Sequence, residues 1–322
     1  MKSVIKKIAR SGIVPVISID SASHAEALAG ALAAGGIFCA EVTFRTDAAE
    51  ESIRIMSEKF PEMIIGAGTV LTVEQAEQAI GAGAQFIVSP GFNYSVVEYC
   101  VKKNVAVIPG CATPSEIEQV IGLGLNVIKF FPSEALGGLK MLKALSAPYP
   151  HVKFMPTGGI TEDNLNDYLQ FDRIIACGGS WIADKEYIAS GKFDKITELA
   201  GNAITKMLGF KLSHIGINSA NEIEAQNTAN AFRKIFSFIL NDCADSIFAG
   251  SGIEVLKSNG CGSKGHIAIE TNFIERAVFY LESRGVKFDH ATEKRNDLGR
   301  LKTIYLNGDF GGFAVHLIQK TP

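Results

Sequence analysis

The sequence predicts an α/β chain: a (βα)8 TIM barrel followed by a smaller α+β domain of two βαβββ modules. Three observations carry that expectation. Eight β-branched or aromatic runs, each trailed by a polar helical pattern, fill the chain before residue 210. Nine of the ten prolines lie between Pro15 and Pro156, the tenth being Pro322, so the chain changes character past its middle. Beyond Phe210 a motif repeats: His214-Ile-Gly-Ile217 returns 52 residues later as His266-Ile-Ala-Ile269. A length of 322 residues suits two domains, expected at 1–207 and 211–322.

The eight runs are 14–19, 38–44, 63–70, 86–90, 105–109, 127–132, 153–157 and 173–177. Most are apolar on both faces, as strands of a parallel sheet covered by helices must be. Eight repeats in about 210 residues favour a closed barrel over an open doubly wound sheet. Helix starts are marked by Thr72-Val-Glu-Gln75 and Thr113-Pro-Ser-Glu116, which have capping-box spacing, the second with proline where a missing N–H costs nothing. The stretch from Met1 to Arg10 alternates charge with Ile like a surface helix and lacks the pattern of a signal peptide.

Composition excludes several function classes. Hydrophobic residues at 47% and charged residues at 20% are globular proportions. The net charge of −3, with no long run of either sign, argues against a nucleic-acid groove or a basic membrane-binding face. The longest mostly apolar stretch, 28–40, is too short to span a bilayer and rich in Gly and Ala. The six cysteines show neither a Cys-x-x-Cys pair nor zinc spacing, so reduced, mostly buried thiols in a cytoplasmic protein are expected.

In such barrels the chemistry sits at the carboxyl ends of the strands. Alternation along 127–132 places Lys129 on the face of Val127 and Phe131, the barrel interior, where loss of water favours a neutral, nucleophilic amine. The alternative is a lysine that snorkels to solvent along its alkyl stem. Glu41 lies in an apolar run and must be paired, with Arg45 as one candidate partner, or functional. Arg45 offers a planar fork suited to a carboxylate. Thr69 closes Gly66-Ala-Gly-Thr69, whose glycines would let a ligand approach the backbone. Pro156-Thr-Gly-Gly-Ile160 and Cys177-Gly-Gly-Ser-Trp181 end the last two strands and suit a phosphate site built from backbone N–H groups and the Ser180 hydroxyl.

Glu41-Val-Thr-Phe-Arg-Thr46, Gly66-Ala-Gly-Thr-Val70, Ser89-Pro-Gly91, Pro109-Gly-Cys-Ala-Thr-Pro-Ser-Glu116, Lys129-Phe-Phe-Pro132, Pro156-Thr-Gly-Gly159 and Gly178-Gly-Ser-Trp181 resemble the 2-keto-3-deoxy-6-phosphogluconate and 4-hydroxy-2-oxoglutarate aldolases, over about residues 1–207. The resemblance implies a class I, Schiff-base carbon–carbon lyase of carbohydrate metabolism. Lys129 would form the imine and Glu41 would move protons. Arg45 and Thr69 would hold the keto-acid carboxylate, Pro90 and Phe131 would wall the pocket, and Thr157 would lie near the distal hydroxyls. Gly158, Gly159, Gly179 and Ser180 would take the phosphate. Phe44 stands where leucine is common. The expected partner is a small 2-keto acid, the expected assembly a homotrimer, and no cofactor is implied because the iminium is the electron sink.

In the repeat, alternation sends His214, Gly216 and Asn218 to one face and both isoleucines to the other, and His266, Ala268 and Glu270 likewise. Helical stretches follow at 221–238 and 272–285, and each half closes with a strand bearing one polar residue among apolar ones, Glu254 and His316. This duplicated unit resembles the vicinal oxygen chelate superfamily of glyoxalases and ring-cleaving dioxygenases over about 211–320. The resemblance makes His214, Glu254, His266 and His316 candidate ligands of a divalent metal, with histidine where glutamate is more usual. Two rivals stand beside the aldolase reading: a phosphate-binding barrel of another reaction type in which Lys129 binds phosphate, and a keto-acid or phosphosugar binding protein.

Overall fold

Strand alternation decides what the first unit buries. The computed structural model describes residues 1–321 and divides at Lys206 into two units. In the first, α1 (Lys2–Ser11) precedes β1 (Ile13–Ile17), α2 (Ala25–Ala34), β2 (Cys39–Thr43), α3 (Ala49–Lys59), β3 (Ile64–Gly68), α4 (Val73–Gly81) and β4 (Phe86–Val88). Then come α5 (Tyr94–Lys102), β5 (Ala106–Ile108), α6 (Pro114–Gly122), β6 (Val127–Phe130), α7 (Gly138–Ser146), β7 (Lys153–Pro156), α8 (Leu165–Leu169), β8 (Cys177–Gly179), α9 (Lys185–Ala189) and α10 (Phe193–Leu208), whose last two residues fall in the second unit.

Six parallel strands form one curled sheet in the order β5-β4-β3-β2-β1-β8, and β6 pairs with β7. Single bridges continue the wall on either side of that pair, Gly110 to Lys129 and Thr157 to Gly178. The unit is thus an α/β, barrel-like domain. Val14, Cys39, Ile64, Phe86, Ala106, Val127 and Met155, one from each of β1 to β7, meet in one buried cluster. Ile8 of α1 is fully buried in the same cluster, with Val4 and Ile5 packed against it. The opening helix is therefore only half a surface helix: its charges face water while its isoleucines pack on the core, Ile8 alone being worth about 1.5–3 kcal/mol.

Two residues further along three of these strands, on the same face, the apolar layer gives way to Glu41, Lys129 and Thr157. That step places the polar groups at the carboxyl ends. The eighth strand lies at Cys177–Gly179, four residues beyond the start of the run at 173–177, because Gly178 and Gly179 pair with Val14 and Pro15 whereas Ile174 makes only a single bridge to Phe154. At Thr113 the capping box is complete; at Thr72 the threonine caps Gln75 N–H, but Gln75 reaches back to the Leu71 N–H instead.

The second unit contains β9 (Lys211–Ile217), α11 (Glu222–Phe236), β10 (Leu240–Asp242), β11 (Ser246–Ala249) and β12 (Ile253–Leu256). The pattern repeats as β13 (Gly265–Thr271), α12 (Ile274–Ser283), β14 (Phe288–Arg295), β15 (Leu301–Leu306) and β16 (Phe313–Gln319). All eight strands form one sheet in the order β10-β11-β12-β9-β13-β16-β15-β14. The two first strands, β9 and β13, are antiparallel neighbours, and each is paired in parallel with the last strand of its own half. Among the described residues, no helix is long and apolar enough to cross a membrane.

Candidate active site and candidate metal centre

Lys129 Nζ lies 3.0 Å from Glu41 Oε1, and the two residues are 5% and 0% exposed. The carboxylate pairs with this lysine; Arg45 turns to Thr69, its Nε donating to Oγ1 at 3.2 Å. Oε2 of Glu41 is buried without a hydrogen-bond partner, leaving a free acceptor beside the amine. Space for the carboxylate comes from Gly68, where a Cβ would sit 2.1 Å from Oε1. Gly66 similarly admits the Phe86 ring. The glycines of this strand thus make room for side chains of the protein itself rather than for a ligand. Thr69 follows with φ 54°, a left-handed conformation uncommon outside glycine, of the kind that clusters at ligand sites.

A cavity of about 330 Å³ opens above the pair, lined by Arg45, Lys129, Phe131, Thr157, Gly158, Gly159, Gly179 and Ser180 among others. Glu41, Thr69 and Pro90 are not in its lining; the first two touch lining residues, Lys129 and Arg45 respectively. Phe131 places its ring centroid 5.5 Å from the Lys129 ammonium. Thr157 Oγ1 is buried and unpartnered at the cavity wall. Gly158 and Gly159 have φ 93° and 79°, and Gly179 lies against the Trp181 ring where any Cβ would collide. Sequence reasoning missed Thr43, Asp184 and Lys185 in the lining. Thr43 was findable, since it stands two residues beyond Glu41 on the same strand face; Lys185, held 3.0 Å from Asp20, carried no such signal. Burial first, and Glu41 second, push the Cys39 thiol far above its ordinary range, so it is inert beneath the site. Cys39, Cys100, Cys111 and Cys177 are buried, Cys243 and Cys261 are exposed, and none of the six is in a disulfide.

In the second unit the antiparallel pairing sets His214 opposite Ala268 and His266 opposite Gly216, so each half supplies the small residue that admits the other half's imidazole. A Cβ on Gly216 would lie 2.1 Å from the His266 ring. Nε2 of His214 and Nε2 of His266 are 3.2 Å apart, and Glu254 Oε2 is 3.2 and 3.0 Å from them. His316 completes the cluster; the three histidines offer nitrogens within 4.8 Å of one another, all buried. Burial would raise the Glu254 pKa, but hydrogen bonds from His214, His266 and Ser246 outweigh it and hold the carboxyl well below the usual range. Ser246 Oγ donates to Oε1 at 2.7 Å, leaving Oε2 for the histidines. Burial, then the neighbouring His266 and His214, push the His316 pKa down to about 3, and neither of its nitrogens has a hydrogen-bond partner. Tyr305 stacks on its ring at 4.6 Å.

Comparison with known proteins places the first unit. Residues 4–199 match the family model described as KDPG and KHG aldolase. The chain is 48% identical over 200 residues to a 2-dehydro-3-deoxy-phosphogluconate aldolase of Treponema pallidum, covering 62% of this chain and 95% of the relative. It is 42% identical over 192 residues to the KHG/KDPG aldolase of Escherichia coli K12, covering 60% and 90%. A crystal structure of KDPG aldolase from Legionella pneumophila, with pyruvate captured as a covalent carbinolamine, superposes with a TM-score of 0.59 at 42% identity, covering 61% of this chain and 95% of that one.

Proposed function

The chain belongs to the KDPG and KHG aldolase family of class I carbon–carbon lyases, and from that premise we propose that its first unit, a closed (βα)8 barrel, cleaves 2-keto-3-deoxy-6-phosphogluconate, 4-hydroxy-2-oxoglutarate or both. The observation that carries this is the buried 3.0 Å contact of Lys129 with Glu41. The amine attacks the C2 carbonyl, and Glu41 shuttles protons as carbinolamine loses water to give the iminium. Glu41 then takes the C4 hydroxyl proton while the C3–C4 bond breaks, its electrons passing into the iminium as an enamine. Protonation at C3 and hydrolysis release pyruvate, with glyceraldehyde 3-phosphate or glyoxylate as the other product. Arg45, hydrogen-bonded to Thr69, holds the carboxylate, Phe131 walls the pocket with Pro90 behind the lining, Thr157 meets the distal hydroxyls, and Gly158, Gly159, Gly179 and Ser180 bind phosphate.

Borohydride reduction in the presence of pyruvate tests the reading. A stable pyruvyl adduct on Lys129, located by peptide mass mapping, is the expected result; no adduct at saturating pyruvate would move Lys129 to phosphate binding and the barrel to another reaction. The commonly trimeric habit of the family supports a homotrimer, and six cysteines outside any disulfide suit the cytoplasm.

For the second unit we propose a vicinal oxygen chelate fold of two βαβββ modules holding one divalent metal on His214, Glu254, His266 and His316. Donors sharing an ion at about 2.1 Å, with angles of about 90–110°, lie about 3.0–3.4 Å apart, the spacing that His214, His266 and Glu254 already show. The unpartnered nitrogens of His316 fit the same assignment. Bound there, a metal would supply Lewis acidity. Elemental analysis of protein purified without chelator should find close to one metal per chain, lost on His214→Ala. Substoichiometric metal that the substitution leaves unchanged would return the histidines to a hydrogen-bonded core.

A further inference from the structure

We propose that Glu134 and Tyr168 are positioning residues that hold the 157–159 turn in its phosphate-receiving form and so set the preference between phosphorylated and unphosphorylated keto acids. This rests on the reading of that turn as the phosphate site. The chain leaving β6 runs directly beneath it. Ser133 N–H donates to the Thr157 carbonyl at 2.7 Å, and Glu134 N–H donates to the Gly158 carbonyl at 3.1 Å. Gly159 lies on the Glu134 side chain so closely that a Cβ would fall 2.5 Å from its Cγ. The turn therefore rests on the stem of Glu134 from below, while Asn164 Nδ2 donates to the Gly159 carbonyl at 3.0 Å from its other end.

That stem is pinned at its far end. Tyr168 Oη donates to Glu134 Oε1, and the same phenol oxygen lies 3.0 Å from Ser133 Oγ. Tyr168 is 2% exposed and Ser133 fully buried. Room for the knot comes from Gly138, at φ 55°, where a Cβ would lie 2.8 Å from Glu134 Oε1 and 2.9 Å from Tyr168 Oη. Neither Glu134 nor Tyr168 lines the cavity, so both act through the turn. Backbone donors bind an anion well only when their direction is fixed in advance. A phosphate bound there is remote from the C3–C4 bond, so its binding energy is available only to a substrate that carries one.

The test compares full-length wild type with Tyr168→Phe, which keeps the ring and removes the knot. Steady-state cleavage of both keto acids is measured, with inorganic phosphate as competitor, alongside borohydride trapping of pyruvate. KM for the phosphorylated substrate should rise about tenfold, roughly the worth of one part-buried hydrogen bond to a carboxylate, and inhibition by inorganic phosphate should weaken equally. Cleavage of the unphosphorylated acid and pyruvate trapping should stay within about twofold. Glu134→Gln, which retains stem and acceptor, should behave as wild type, while Glu134→Ala should reproduce the defect; this pair decides the matter if Tyr168→Phe does not fold. Equal losses on both substrates, or no loss on either, overturn the proposal. If inorganic phosphate fails to compete in the wild type, the phosphate site itself is misassigned and the proposal falls with it, a result visible before any variant is compared.

Discussion

Lys129→Ala is expected to remove cleavage of both keto acids, by about 10⁵-fold or more, and to leave no product of borohydride trapping. The cavity offers no substitute nucleophile in the same place: Lys185 sits at its rim, exposed and paired with Asp20. Stability should also fall, because a buried carboxylate loses its partner, a change worth about 3–5 kcal/mol when the orphan stays charged. A domain carries about 5–15 kcal/mol in all. Folded protein with a lower melting temperature is therefore the expected outcome, read by circular dichroism. Residual turnover above about 1% of wild type would show that another group carries the carbonyl.

What the sequence disclosed about this site followed from period-two alternation. Val127 to Lys129 and Cys39 to Glu41 are each one step along a strand face, so the polar pair had to sit on top of the apolar layer. The same logic put His214 and His266 among small residues, and the register confirms why: each imidazole stands opposite Gly216 or Ala268. What alternation could not disclose was contact across strands. Arg45 was an equal candidate for Glu41 until the fold turned it to Thr69. The glycines of Gly66-Ala-Gly-Thr69 read as access for a ligand, whereas they admit Phe86 and Glu41. The eighth strand was misplaced for a related reason. β-Branched Ile174 and Ile175 have the stronger strand propensity, yet only glycine fits where Gly178 meets the Thr157 side chain and Gly179 meets the Trp181 ring, and packing prevailed over propensity. Glu134 and Tyr168, 34 residues apart, gave no pattern at all because their meeting depends on two turns and Gly138.

Glu41→Gln should slow turnover by about 100- to 10,000-fold, the usual contribution of a positioned acid–base group, or about 2.7–5.5 kcal/mol of barrier. The substitution is chosen for its shape. Glutamine fills the slot that Gly68 leaves and can still accept a hydrogen bond from Lys129, so the cavity keeps its form and the substrate its seat. What it cannot do is carry a proton between the amine, the departing water and the C4 hydroxyl. The loss should therefore fall on kcat, with KM changed little, and pyruvate trapping should slow yet still reach the same final yield on Lys129. Glu41→Ala is less informative, since it opens space for water next to the amine. A loss in kcat below tenfold, or one confined to KM, would reduce Glu41 to a counter-ion for Lys129 and send the search for the proton carrier to the buried, unpartnered hydroxyl of Thr157.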